Sequence, residues 1–281
     1  MKQKQYFDWL QQEDLQTPGL SLFAHKKFQK AEKGLVMHDH GSCMEIVFLI
    51  RGRQDYYIED SAYSLIGGQA FISFPNQPHK SAGPFQDVGE IYWCQLDLSC
   101  RDNFLGLGKE LSRQTLEQLS QINQHIVPFD ASVKNLLQPT YNEFCQNGPT
   151  PLARCAFMHL LQLFLACTQK KLSTRDSFQK LDQYIEEHVF EKITMEQLCQ
   201  EANISLSTLQ HSFKTYFGRS PAEYINYRKI QRSKELLLAG KNITETAMCM
   251  GFGSSDYYST VFRKFNGTSP SVWIQNERTA E

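Results

Sequence analysis

Between residues 20 and 98 the apolar positions come in short runs separated by turn residues: EIVFLIRG, DYYIED, YSLIGG, AFISFPNQP and EIYWCQLDL. Strands of this length and spacing predict a sandwich or barrel. Gly52, Gly67, Gly68 and the Pro75-Asn76 pair mark its turns. The pattern changes after residue 104, where Leu105, Leu107, Leu111, Leu116, Leu119 and Ile122 recur at mostly helical intervals. A second helix is expected over Ser132 to Cys145, with Pro139 kinking or interrupting it. A third opens at Thr150-Pro151, a good cap followed by proline at the first helical position, and runs through Lys170. The apolar stripes of these helices have two readings, the core of their own domain or the seam of a homodimer. Residues 171–177 are polar and aperiodic and read as a linker. The chain therefore divides into an expected domain at 1–170 and another at 178–281.

The second domain reads as helix throughout, in two copies of one layout. Ile193 to Gly218 holds a first helix capped by Thr194, a break at Asn203, and a second helix capped by Ser205. Asn203 suits the left-handed conformation of a tight turn. Leu206, Leu209, Phe213 and Phe217 share one face of the second helix. Ser207, Thr208, Gln210, His211 and Lys214 lie on the other, with side chains suited to base edges and phosphates. Asn242 to Gly267 repeats the plan. Ile243, Ala247 and Met250 form one face, Gly251 makes the turn, and Ser254 caps a helix whose apolar side is Tyr258, Val261, Phe262 and Phe265. Ser255, Asp256, Tyr257, Ser259 and Thr260 face the other way, with Arg263 and Lys264 behind them. Between the copies, Ser220-Pro221-Ala222-Glu223 is a capping box opening a helix to Ala239. That helix is about 28 Å long, against about 34 Å for one turn of DNA. It is thus long enough to hold two reading helices over successive major grooves.

Charge sharpens this picture. The 281-residue chain carries a formal net charge of −1, which by itself gives no support for binding nucleic acid. Residues 203–278, however, hold an excess of five basic groups, whereas 178–202 hold two lysines against six acids. The basic charge is concentrated around the reading elements. The eight cysteines form no CxxC pair and read as free thiols of a reducing compartment. The N-terminus lacks a signal-type apolar core, and the greasiest run, Leu160 to Cys167, is too short to span a bilayer. A cytoplasmic protein without a membrane segment is expected.

The stretch from Ala247 to Trp273 resembles the signature of AraC-family transcription regulators. The matching positions include Gly251, Phe252, Ser254, Tyr258, Phe262, Gly267 and Pro270, and upstream Ser205, Leu209, Phe213, Gly218, Pro221 and Tyr224. The resemblance covers about the last 100 residues. It implies that Ser207, Gln210 and His211 face bases in the first unit, and Ser255, Asp256, Tyr257 and Thr260 face the groove in the second. It also implies double-stranded DNA as partner and regulation of transcription, by activation or by repression, with RNA polymerase as a further partner; a homodimer is expected through the helices of 104–170. Lys229 stands where the family usually has Arg, Asn203 where it usually has Gly, and Asp256 is acidic on the reading face.

The first domain carries its own chemistry. His38 and His40 are two apart and share a face if extended. Glu45 is an odd number of positions from both, so a bulge or loop must intervene for it to join them. His79 supplies a fourth group from another strand. Three imidazoles and a carboxylate are a ligand set for a divalent transition metal as cofactor. With Gly34 and Gly52 this stretch resembles the first cupin motif, and the segment ending at His79 a shortened second one. The other reading is a sugar-like effector. Tyr92 and Trp93 offer flat faces, Arg51 offers several donors, and His79 stands nearby. In the family's sugar sensors, Arg and Trp at positions matching Arg51 and Trp93 touch the ligand. Trp93 as plain core and Arg51 as a surface charge is the competing account.

The expected fold is therefore α+β: an N-terminal cupin-like β-barrel with flanking helices, and a C-terminal all-α domain with two helix-turn-helix units. The expected function is DNA-binding transcription regulation in response to a small molecule, with no catalysis. A metal-dependent cupin enzyme fused to a DNA-binding module is the alternative, and a constitutive architectural DNA binder a third.

Overall fold

The computed structural model describes residues 8–29, 32–82, 85–169 and 176–280. It divides into two units, Met1–Leu172 and Ser173–Glu281. Most of the expected linker lies outside the described residues. Its last two positions are already helical.

Strands and helices of the first unit follow in chain order. They are β1 (Asp8–Gln11), α1 (Gln12–Leu15), β2 (Leu20–Phe28), β3 (Glu32–Lys33), β4 (Cys43–Ile58), β5 (Ser61–Ile66), β6 (Gln69–Ser73), β7 (His79–Ser81), β8 (Phe85–Gln86) and β9 (Gly89–Asp97). A 3-10 turn at Phe104–Gly106 leads to α2 (Gly108–Ser120), β10 (Ile126–Pro128), α3 (Ala131–Asn147) and α4 (Pro151–Thr168). The main sheet is antiparallel, in the order β1-β2-β9-β4-β6-β10.

β4 organises this unit. Its first half pairs with β9 and β6, and its second half with β5 and β7. The sequence reading expected two strands with a turn at Gly52. The structure has one strand that bends there. Gly52 has φ +101°, and a Cβ would lie 2.5 Å from the Val88 carbonyl oxygen, so only glycine lets β4 change partners at that point. Alternation along the strand then separates two cores. Met44, Ile46 and Phe48 face the helices, where Phe48 meets Phe164 of α4. Val47 and Leu49 face inward with Tyr56, Phe71 and Ile91.

α3 runs unbroken through Pro139, so the expected interruption does not occur. One helix hydrogen bond is lost there. Val133, Leu137, Tyr141 and Phe144, all buried, hold the helix on either side of it. α4 starts as the sequence predicts, with Thr150 Oγ1 accepting from the Ala153 amide at 3.1 Å. The apolar run at 160–167 is extended by Pro151 to His159, so α4 is long and apolar enough to cross a membrane by length and composition. Here Phe157, Leu160, Leu161, Phe164 and Leu165 instead join the core against the sheet.

The second unit is helical: α5 (Asp176–Glu187), α6 (Met195–Ala202), α7 (Leu206–Phe217), α8 (Pro221–Leu238), α9 (Ile243–Cys249), α10 (Ser255–Asn266) and α11 (Pro270–Ala280). Capping sets the starts of α6 to α10. Thr194, Ser220 and Asn242 make capping boxes with the residue three positions on. Asn203 takes φ +52° in the turn between α6 and α7, and Gly251 φ +68° in the turn between α9 and α10. Leu209, Phe213 and Phe217 bury one face of α7. Leu206, expected with them, is 47% exposed, because it stands at the first position of the helix, one turn short of the packed stripe.

Candidate functional site

The second unit presents α7 and α10, each the second helix of a helix-turn-helix pair. Their buried faces fix them. Phe213 packs on Phe217 and Tyr224, and Tyr258 on Phe252 and Phe262. The opposite faces are open. Ser207, Thr208, Gln210, His211 and Lys214 on α7 are exposed, as are Asp256, Tyr257, Thr260, Arg263 and Lys264 on α10, while Ser255 is half-buried.

Not all of these side chains are free. Ser205 Oγ accepts from the Thr208 amide and Ser254 Oγ from the Tyr257 amide, so both serines are caps. Thr260 Oγ1 donates to the Asp256 carbonyl. Lys264 Nζ reaches Glu223 Oε1 at 2.8 Å, tying α10 to the start of α8. That contact holds the Glu223 carboxyl below its ordinary range, with burial opposing. Lys264 thus acts first as a brace between helices.

One residue with a positioning role lay outside the sequence reading of the reading face. Lys229, 5% exposed on α8, donates to the carbonyls of Glu191 and Met250, both at 2.7 Å. It joins the loop before α6 to the end of α9, and so fixes the turn of the second helix pair. Its burial lowers its pKa. The sequence signal was its place on the apolar stripe of α8, four residues after Ile225 and four before Ser233.

In the first unit the structure brings His38, His40 and His79 together, with one ligand atom of each within 4.8 Å of the others. His38 and His40 precede β4, so strand parity does not apply to them, and Glu45 projects from β4 into the group. His79 Nε2 lies 3.2 Å from Glu45 Oε2, and His40 Nε2 3.2 Å from Glu45 Oε1. Burial pushes the Glu45 carboxyl up, but the two imidazoles outweigh it and hold it at about 2. Burial works against charge on His40, yet the same carboxylate raises its pKa.

A cavity of about 210 Å³ adjoins this group. Phe28, Val47, Tyr56, Ile91 and Trp93 line it together with Lys26 and Gln86, and His38, His40, Glu45 and Gln95 also line it. Trp93 is where the sequence reading placed it. Tyr92 is not, because adjacent strand residues face opposite ways. It lies against His25 and Tyr141 on the helical side. Arg51 pairs with Glu90 at 3.2 Å and does not line the cavity. The sequence reading missed Gln95, which contacts both His40 Nδ1 and Glu45 Oε1 at 3.1 Å. Its position two residues after Trp93, on the same strand face, was the available signal.

Residues 198–276 match a family model described as a helix-turn-helix domain. Over 250 residues the chain is 23% identical to a probable transcriptional regulator, LumQ of Photobacterium leiognathi, covering 87% of this chain and 94% of that one. Over 118 residues it is 32% identical to the HTH-type transcriptional activator RhaS of Salmonella arizonae, covering 41% of this chain and 42% of that one. The chain thus spans less than half of the length of RhaS in that match. Among solved structures, ToxT of Vibrio cholerae is similar at 14% identity with a TM-score of 0.34, over 90% of this chain and 97% of that one. The paired motifs, the family model and the two sequence relatives define a helix-turn-helix DNA-binding protein. Residues 198–276 thus form a helix-turn-helix domain of the AraC type, and the chain is similar to proteins named as transcription regulators.

Proposed function

We propose that this regulator binds a small-molecule effector in the barrel cavity and converts occupancy into a change in DNA affinity. It acts as a homodimer in the cytoplasm, activates transcription together with RNA polymerase, and does not catalyse a reaction. The observation that carries this reading is the pair of capped, packed helices α7 and α10, each with an exposed polar face. The domain presenting them shares a chain with a barrel that has its own cavity. The relatives are named as transcription regulators and an activator, which favours regulation over an enzymatic role. Linkage requires that an effector altering DNA affinity is itself bound more tightly or more weakly when DNA is present. The test is selection of bound sequences from random double-stranded DNA, followed by anisotropy titrations with and without candidate effectors. Absence of any sequence preference sinks the reading.

A sugar is the effector expected from Arg51, Tyr92 and Trp93, but only Trp93 reaches the cavity. A second reading rests on the imidazole cluster. His38, His40 and His79 offer a nitrogen each, and Glu45 a carboxylate, to a divalent transition metal. Among the described residues His40 Nε2 is buried without a hydrogen-bond partner, which fits a nitrogen available to a metal. Zinc titration with a calorimetric readout, compared between wild type and His79→Ala, decides it. Equal heats exclude this site.

A further inference from the structure

We infer that the barrel's effector is a small neutral molecule with one hydroxyl on an apolar ring, a phenol or a cyclic alcohol, held with its oxygen between His38 and His40. This rests on reading the cavity as the effector site, and it assigns the chemistry of that site.

The hydrogen bonds fix which nitrogen carries each proton. His38 Nδ1 lies 2.7 Å from the Val36 carbonyl oxygen, so Nδ1 donates and Nε2 is left as an acceptor. Gln95 Nε2 lies 3.1 Å from both His40 Nδ1 and Glu45 Oε1. An amide oxygen there would face a carboxylate, so the amide nitrogen is correctly placed, and it donates to His40 Nδ1. The His40 proton therefore sits on Nε2. That nitrogen is close to Glu45 but makes no aligned hydrogen bond. The histidine end of the cavity thus offers one acceptor and one donor, on rings whose centroids are 5.0 Å apart. A hydroxyl is the smallest group that answers both.

Other heads fit less well. A carboxylate has no proton for His38 and would sit against Glu45. Lys26, the cation lining the cavity, is bound to Glu32 at 2.7 Å. A sugar would turn several hydroxyls onto Phe28, Val47, Ile91 and Trp93, where buried hydroxyls without partners are costly. The volume of about 210 Å³ is below the range usual for drug-sized ligands and suits a single ring.

The experiment is calorimetric titration of the full chain, with EDTA present, using phenol, cyclohexanol, toluene, benzoate and glucose. Phenol and cyclohexanol are expected to bind, with toluene and benzoate at least tenfold weaker and glucose silent. Val47→Trp, which fills the cavity, should abolish binding. Should that variant misfold, His38→Leu at the half-buried rim should erase the preference for phenol over toluene. Tighter binding of benzoate or glucose than of phenol overturns the assignment and leaves the barrel as an effector site. Silence from all five also overturns it. If a small-molecule cell extract then shifts DNA affinity equally in wild type and Val47→Trp, the effector-site reading fails as well.

Discussion

Glu45 is the residue on which the barrel site turns, and its behaviour with pH is distinctive. Its pKa in the folded protein is about 2, against an ordinary 4.5. A depressed carboxyl contributes stability that is fully present above 4.5 and is lost as pH falls toward 2. In EDTA-treated protein the urea midpoint of the barrel unit should therefore fall through that window, and Glu45→Gln should flatten the fall. An unchanged slope in the variant means the imidazoles do not hold this carboxylate. Lys229 makes a parallel case in the second unit. Lys229→Met strands the carbonyls of Glu191 and Met250, a loss of about 1–3 kcal/mol for a buried group left unpaired. Urea unfolding should register that loss, and a value near zero would show that water replaces the ammonium. The convergence of His38, His40 and His79 was legible only through the resemblance to two cupin motifs, because His79 lies far along the chain from the other two and strand parity does not govern His38 and His40. The separation of Tyr92 from Trp93 followed from strand alternation, but only once the strand's inner face was known. That face is set by partner strands distant in sequence, and no local pattern reports them.

At the level of elements, the second unit was readable almost helix by helix. Its boundaries are set by local chemistry, a Ser, Thr or Asn cap at one end and a left-handed Asn or Gly at the other. The barrel was less legible for the complementary reason. β4 reads as two strands because Gly52 normally ends one, and the close approach of Val88 that demands glycine there is a tertiary fact. Pro139 reads as a break for the same reason, and packing on both sides of α3 overrides it. The caps also separate two kinds of side chain on the reading helices. Ser205→Ala and Ser254→Ala should each cost about 0.5–2 kcal/mol of stability and weaken binding to all DNA alike. Gln210→Ala should leave stability within about 0.5 kcal/mol and relax base preference at one position. Lys214→Ala should lower affinity for every sequence and reduce the salt slope by about 0.9. Selection on random DNA with each variant distinguishes these. If Gln210→Ala keeps the wild-type preference, α7 does not read bases through that side chain.

Across the whole protein, the proposed DNA recognition rests on two helices, α7 and α10, belonging to one unit. α8, with 18 residues, is about 27 Å long, and the Lys264–Glu223 and Lys229 contacts tie α10 and the second turn to it. The two helices therefore cannot adjust their separation independently. Their targets must recur about one helical turn apart, roughly 34 Å, on one face of the duplex. Inserting five base pairs between the two halves of a selected site turns the second half to the far side. The second helix then loses its base contacts, each good pair being worth about 1–3 kcal/mol. Affinity should fall at least tenfold, to that of the first half alone. An insertion of ten base pairs should not restore it, because α8 does not stretch. Weakening of the brace by Lys264→Ala should soften the penalty of a one-base-pair insertion more than that of five. If instead the five-base-pair site binds as tightly as the original, only one of the two helices reads sequence, and the other serves to hold the phosphate backbone.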